Sequence, residues 1–247
     1  MRKKEERKNN KSLISLYFSF LFDKKTLIAI LITLILLSIS LIFIFKVDKD
    51  EYYLENYLNY HQSYFNLSLL IIGILNGILI SFFVINLSIY STNFDCLFIS
   101  YIKREKISII KIITILIALF LLLTIEFIII VFIGLLKYNH FKISKDFIIT
   151  FYYNYLAMIF EVIASIALTE IFHIIFTPFL VLFIFLIIRI LMNNFNNFKD
   201  LFINYFPYLT YNSKNNIFEF GNPIIALIII FSLIIVYVEL YSIKDMK

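Results

Sequence analysis

The chain has 247 residues and a formal net charge of +5; 62% of the residues are hydrophobic, 16% are charged, and the mean hydropathy of +0.92 is far above that of a water-soluble domain. Its apolar runs are solid blocks with only 4 Gly and 3 Pro, which excludes the short alternating segments of a membrane β-barrel. The single Cys96 excludes an intramolecular disulfide and a cysteine-based metal cluster.

The first 26 residues predict a cytoplasmic leader followed by an interfacial helix. Residues 1–11 are rich in Lys and Arg and contain no apolar face to bury. The segment 12–22, SLISLYFSFLF, is apolar over a broad face but too short to cross a bilayer, which is typical of an amphipathic helix in the membrane interface. We assign the basic leader to anionic lipid and not to nucleic acid, because no basic groove interleaved with aromatic residues accompanies it.

Six apolar stretches predict six transmembrane helices, since each is near the ~20 residues that a ~30 Å hydrocarbon core requires. They lie at about 27–45, 65–89, 107–136, 148–169, 174–192 and 223–243. Lys and Arg favour the side of the N-terminus by roughly two to one, which places both termini in the cytoplasm. The predicted fold is an all-α integral membrane protein, with leader and interfacial helix at 1–26 and a six-helix transmembrane domain at 27–247.

The loop after the second span, Ser88 to Ile113, contains the most informative motif, SIYSTNFDCLFISYIKREKISIIKII. A short helix held against the membrane by basic residues can dock into a groove of a soluble partner, with an acid such as Asp95 capping or pairing at its end. The loop resembles that of ABC-2 type transporter permeases, in which a basic pair similar to Lys103 and Arg104 follows a short helix and a Lys similar to Lys111 opens the third span.

The resemblance implies a coupling helix at about 92–106 that transmits the work of an ATPase. Its predicted coupling residues are Phe94, Asp95, Lys103, Arg104 and Glu105. The family often carries a Glu and a Gly before this helix, whereas this chain has Thr92 and Asn93 before Asp95, so the register of the helix stays open.

Segment 193–222 resembles the re-entrant element that precedes the last span in the same family. Pro207 and Thr210 match its pattern, in which Pro commonly precedes an apolar residue and Thr. The run of asparagines at its start is equally typical of a plain surface loop, and both interpretations stay open.

The resemblance also implies partners, a location and a cargo class. It implies a permease of a bacterial cytoplasmic membrane that dimerises with a second copy or a paralogue and exports an amphipathic peptide or another hydrophobic compound. The chain has no G-x-x-x-x-G-K-[ST] motif, so we expect ATP hydrolysis in a separate cytoplasmic subunit, no enzymatic activity in this chain and no cofactor.

Two carboxylates, Glu126 and Glu161, fall near the middle of the third and fourth spans, where an ionised carboxylate costs at least ~2.5 kcal/mol. One interpretation places them on a translocation path, together with Arg189 of the fifth span. The other makes each a protonated side chain hydrogen-bonded to a neighbouring helix, with Arg189 reaching the interface.

The predicted spans also contain two pairs of residues at helical spacing. Glu170 and His173 lie on one helical face, but the chain has only 3 His and we expect no metal there. Gly73 and Gly77 form a G-x-x-x-G motif that favours close helix packing, with a partner in the same chain or in a second protomer.

Two other classes of function compete with the exporter subunit. A stand-alone immunity protein or secondary carrier would use the same helical bundle without an ATPase. An intramembrane peptidase would need H-E-x-x-H or an adjacent pair of acids within a span, and the sequence has neither.

Overall fold

The computed structural model describes residues 13–44, 54–91, 95–96, 99, 102–137, 145–172, 174–194, 209–212 and 217–243. Within them the chain is largely helical: α1 (13–21), α2 (Lys24–Ile44), α3 (Leu54–Ile85), α4 (Arg104–Lys137), α5 (Lys145–Phe172), α6 (Thr177–Asn194) and α7 (Pro223–Ile243), with a π-helical turn at Asn86–Tyr90 and strands β1 (Leu209–Asn212) and β2 (Ile217–Phe220). The predicted helical class is therefore confirmed for the described residues, and the short β-hairpin is a local addition to it.

Five of these helices are long and apolar enough to cross a membrane, which indicates a multi-pass membrane protein. The candidate spans are Lys24–Phe43, Ile71–Tyr90, Arg104–Lys137, Phe151–Phe172 and Pro223–Ile243. The fifth predicted span corresponds to α6, whose apolar part, Thr177–Ile188, is shorter than the other spans. Beyond Ile188 most side chains of α6 lie outside the described part of the chain, so this length is that of the described part alone.

Helix α1 lies where the sequence predicts an interfacial helix. Its residues Leu13, Tyr17 and Leu21, spaced four apart, form one stripe that is buried in the main core. Ser15 and Ser19 on the opposite face are exposed. The buried stripe therefore packs α1 against the helical bundle, while its place in the membrane interface stays a prediction.

The helix ends meet at two ends of the bundle, which we call proximal and distal. At the proximal end, the Asn86 amide reaches Thr26 at the start of α2, and the Arg104 guanidinium at the start of α4 donates to the Ser242 carbonyl at the end of α7. At the distal end, the Lys137 ammonium donates to the Leu41 and Ile42 carbonyls of α2 at 2.6 and 2.7 Å.

Helices α3 and α5 form the centre of the bundle. In each of them 72% of the residues of the apolar span are buried, compared with 22% in α2 and in α7. The latter two therefore present most of their apolar residues outward. Gly77 of α3 faces Leu182 of α6, because a Cβ placed there would lie 2.0 Å from Leu182 Cδ1. The partner of the second glycine of the G-x-x-x-G motif is therefore a helix of the same chain.

The described part of segment 193–222 contains the hairpin. Strands β1 and β2 pair antiparallel, with Leu209 opposite Phe220 and Asn212 opposite Ile217. The hairpin leads into α7, whose N-terminus is capped by Asn222 Oδ1, which accepts from the Ile224 amide at 3.0 Å, with Pro223 in the first turn. Residues 195–208 lie outside the described residues, so the re-entrant element stays a prediction.

Candidate functional site

Asp95 lies between α3 and α4, where Asp95, Cys96 and Ile99 are helical, and it is fully buried at the proximal end of the bundle. Its carboxylate forms an ion pair with the Lys111 ammonium and accepts hydrogen bonds from the Tyr17 hydroxyl at 2.5 Å and the Tyr241 hydroxyl at 2.7 Å. These three partners are each at most 1% exposed. We call this group, Tyr17, Asp95, Lys111 and Tyr241, the Asp95 junction.

Four separate segments supply the junction. Tyr17 comes from α1, Lys111 from the second turn of α4 and Tyr241 from the last turn of α7, while Asp95 belongs to the loop. The Asp95 amide also donates to the Ser91 carbonyl at 3.0 Å, which continues the helical path beyond the π-helical turn. One carboxylate thus links the middle of α1 to the start of α4 and the end of α7, which are far apart in sequence.

Lys111 is stabilised by more than its carboxylate partner. Its ammonium lies 5.6 Å from the centre of the Tyr17 ring and 4.8 Å from that of Tyr241, within the range of cation–π attraction. A buried ion pair offsets its desolvation only when further groups satisfy the remaining hydrogen-bonding capacity. The two tyrosines meet that requirement, since each donates to Asp95 while its ring faces Lys111.

The tyrosine of α1 acts in the junction as a neutral hydrogen-bond donor. Burial raises the pKa of the Tyr17 hydroxyl, and the negative charge of Asp95 and the hydrogen bond to it raise it further. The hydroxyl therefore keeps its proton at physiological pH. Its chemistry is that of a fixed donor that holds the carboxylate, and it supplies neither a nucleophile nor a base.

A second polar contact beside the junction ties α1 and α2 to the end of α3. The Asn86 amide, in the π-helical turn, donates to the Phe20 carbonyl at 3.1 Å and to the Thr26 hydroxyl at 2.9 Å, and it approaches Asp23 Oδ1 at 3.4 Å. Single π-helical turns inside helices are frequent at functional sites because they redirect side chains. Here the turn points Asn86 at the break between α1 and α2.

Asp23 caps the N-terminus of α2 within that contact. The Thr26 amide donates to Asp23 Oδ1 at 2.8 Å. Partial burial acts to raise the pKa of the Asp23 carboxyl, but hydrogen bonds from Thr26, Asn86 and the Lys25 backbone outweigh it and hold the pKa below its ordinary value. The carboxylate is therefore ionised and fixed at the start of the first span.

The predicted coupling residues divide into one buried residue and a more accessible group. Asp95 is buried in the junction, whereas Lys103 and Glu105 are exposed at the beginning of α4. Arg104 is half-buried and donates to the Ser242 carbonyl at 3.2 Å. Phe94 lies outside the described residues. Direct contact with a soluble partner at this place is thus open to Lys103 and Glu105 but not to Asp95.

The other predicted site residues do not gather at the junction. Glu126 of α4 and Glu161 of α5 are both buried, and Glu126 pairs with Asn76 of α3. Arg189 belongs to α6 and Thr210 to β1, where it is opposite Glu219, but the side chains of these two residues lie outside the described part of the chain. Pro207 and His173 lie outside it as well.

Several residues of this region are missed by the sequence analysis. Tyr17 and Tyr241 are two of 17 tyrosines, and Tyr241 is 146 positions from Asp95, so no local pattern marks either of them. Asn86 and Asn76 carry a signal that could have been used, because an amide within an apolar span must find a hydrogen-bond partner on another helix.

The described side chains offer no group of three or more His, Cys, Asp or Glu residues placed to hold a metal ion. The fold and the junction define a class, a multi-pass helical membrane protein with a buried polar junction at one end of its bundle. No protein-family model matches the chain, and no curated protein matches it.

Proposed function

We propose that this chain is the membrane-spanning permease subunit of an ATP-driven exporter, with ATP hydrolysis performed by a separate cytoplasmic subunit. The observation that carries the proposal is the burial of Asp95, at the centre of the loop with the family resemblance, in contact with Tyr17, Lys111 and Tyr241. A loop that receives work from a partner must be fixed to the helices that it moves. The Asp95 junction provides such a fixed connection.

The proposed route of coupling has an outer and an inner part. Lys103 and Glu105 are exposed and would meet the ATP-binding subunit, while Asp95 would pass the displacement to α1, α4 and α7. Because a buried ion pair is costly to separate, the loop and the three helices would move together and not slide past one another.

The proposal includes six spans with both termini in the cytoplasm. Tyr153 near the start of α5 donates to the Gly221 carbonyl just before α7, so these two helices begin at the same, distal end. Helix α5 then ends at the proximal end, where α6 begins. To reach Gly221 at the distal end, the chain has to cross the bundle once between Thr177 and Gly221. Helix α6, with 18 residues and a rise of about 27 Å, is nearly long enough for that crossing.

The cargo and the partner permease belong to the same proposal. We infer an amphipathic peptide or another hydrophobic compound as cargo and a second copy or paralogue as partner, in a bacterial cytoplasmic membrane. In the apolar spans of α2 and α7 only 22% of the residues are buried within one chain, so both helices present broad apolar surfaces to lipid, to cargo or to a second permease.

The decisive experiment asks whether an ATP-binding protein copurifies with the full chain from its native membrane. The variant Lys103→Glu reverses an exposed charge at the proposed contact, and Lys25→Glu makes the same change at an exposed position of α2 at the same end. We expect Lys103→Glu to reduce copurification and stimulated ATP hydrolysis at least tenfold and Lys25→Glu to leave both near wild type.

Two results would reject the proposal. In the first, no ATP-binding protein copurifies, and immunity or transport proceeds without ATP. The chain would then act alone, as an immunity protein or a secondary carrier. If an ATPase copurifies but both variants behave like wild type, the loop after α3 is not the coupling site.

A further inference from the structure

Away from the Asp95 junction and from the Asn86 contact, another polar contact lies deep inside the bundle between α3 and α4. The Asn76 side-chain amide donates to Glu126 Oε2 at 2.8 Å and is 3.5 Å from the Met158 sulfur of α5. Asn76 is fully buried, and Glu126 is 1% exposed. The contact therefore joins three helices at a place without access to water.

The hydrogen bonds of this contact are incomplete. Asn76 Oδ1 is buried and accepts no hydrogen bond from any described residue. A buried amide oxygen without a donor costs about 1–3 kcal/mol. An ionised Glu126 cannot supply the missing donor, because a carboxylate only accepts, whereas a carboxylic acid offers one O–H group.

The charges around Glu126 provide no compensating cation among the described side chains. On α4 itself the nearest basic residues are Lys111 and Lys137, about 22 and 16 Å away along the helix axis. Lys111 is paired with Asp95, and Lys137 binds the end of α2.

The helices that pack against α4 add no basic side chain at this depth in the described part of the chain. Helix α5 contributes the carboxyls Glu161 and Glu170, and α7 contributes Glu239 in its last turn. Helix α2 has Lys24 and Lys25 only in its first turn. Arg189 belongs to α6, which packs on α3 and α5.

We propose that Glu126 and Asn76 form a proton-binding site inside the bundle, in which a neutral Glu126 carboxyl and the Asn76 amide make two reciprocal hydrogen bonds. The Asn76 N–H donates to one carboxyl oxygen, and the proton on the other carboxyl oxygen is donated to Asn76 Oδ1. Binding consists of one proton added to the carboxylate, with no other bond formed or broken. In this form Asn76 Oδ1 has a donor, and the pair buries no net charge.

This site is independent of the proposed exporter function, because it rests on contacts within one chain. It also gives Glu126 a role that needs no cargo. Loss of the proton would leave a charge in the apolar interior and remove the donor to Asn76 Oδ1, so only one of the two hydrogen bonds between α3 and α4 would remain.

Infrared spectroscopy of the full chain in lipid nanodiscs tests the site directly. At pH 7 exposed Asp and Glu are ionised, so a carboxylic-acid C=O band arises only from buried acids. We expect the wild type minus Glu126→Gln difference spectrum to contain this band. The variant Asn76→Leu should shift the same band to higher frequency, because the Glu126 carbonyl loses its donor. Glu161→Gln removes another buried acid. In that background Asn76→Leu should shift the Glu126 band by the same amount.

Stability of the same variants provides the second readout. Gln at position 126 can form the same two hydrogen bonds with Asn76, so we expect Glu126→Gln to unfold within 2 °C of wild type and Glu126→Leu to unfold several degrees lower. A difference spectrum with carboxylate bands alone at pH 7 would overturn the proposal. Carboxylate bands that change with sodium concentration at constant pH would overturn it in favour of a bound metal cation.

Discussion

Asp95 and Lys111 form a charged pair that is stable only while both members are present. Removing one partner leaves the other charge buried, and such changes cost about 3–5 kcal/mol. We expect Asp95→Ala to lower the free energy of unfolding by this amount, and Lys111→Met to act similarly. Unfolding in mixed detergent micelles measures the effect.

The double variant Asp95→Asn with Lys111→Met separates a charge effect from a packing effect. It removes both charges and keeps similar volumes, so most of the lost stability should return. Glu105→Gln is the matched control, since Glu105 is exposed at the same end and should change stability by less than about 0.5 kcal/mol. A double variant as unstable as either single variant would show that the ion pair is not the source of the effect.

At the scale of single residues, the sequence allows the importance of Asp95 to be predicted but not its burial. An acid among apolar residues near a basic pair is equally typical of an exposed helix cap and of a buried partner. The choice depends on Tyr17 and Tyr241, which lie 78 and 146 positions away, and no local pattern specifies such contacts. The exporter function and the role of each coupling residue stay predictions.

Among the elements, the break between α1 and α2 depends on a titratable cap. Asp23 has a lowered pKa, so its contribution to stability is complete above the ordinary value of about 3.9 and is lost as the pH falls through the lower folded value. We expect Asp23→Ala to cost about 1 kcal/mol at pH 7. Its difference from wild type should decrease on acidification below about pH 3.9.

Asn at position 23 provides the control for this prediction. It retains a cap for the Thr26 amide but does not titrate, so Asp23→Asn should be close to wild type at pH 7. Thermal unfolding followed by circular dichroism over a pH series measures both variants. If the difference in unfolding temperature between wild type and Asp23→Ala were the same at all pH values, the carboxylate charge would have no role.

Gly77 leaves no room for a side chain where α3 packs against Leu182 of α6. A methyl group there meets the end of the flexible Leu182 side chain, which can rotate away, so Gly77→Ala should destabilise by about 1 kcal/mol. Gly77→Leu cannot be accommodated in this way and should cost more. Adding Leu182→Ala to Gly77→Ala should recover part of the loss, and purely additive effects in this double-mutant cycle would mean that the two residues do not touch.

The helices themselves follow from the sequence better than their ends do. Uninterrupted apolar runs predict the five long spans, because a helix satisfies its backbone hydrogen bonds within a single segment in lipid. The start of α3 at Leu54 could not be predicted, since its first turns are rich in Asn, Tyr and Gln and show no apolar run. The hairpin of β1 and β2 was missed because its strands are only four residues long.

On the scale of the whole molecule, the number of crossings depends on α6. Length and composition qualify five helices, whereas the positions of Tyr153 and Gly221 require the chain to return to the distal end before α7. If α6 crosses the membrane, Cys96 and Asn222 lie on opposite sides. If no crossing occurs between α5 and α7, they lie on the same side, which would contradict the contact between Tyr153 and Gly221.

The single exposed Cys96 makes this question accessible to chemical labelling. In intact cells a membrane-impermeant maleimide should leave Cys96 unmodified, whereas Asn222→Cys in a Cys96→Ser background should react at once. Lys25→Cys in the same background is exposed at the proximal end and should behave like Cys96. After the cells are opened, all three positions should react, which controls for burial. Equal protection of positions 96 and 222 in intact cells would reduce the count to five spans and place the two termini on opposite sides, because only α6 can supply the sixth crossing among the described helices.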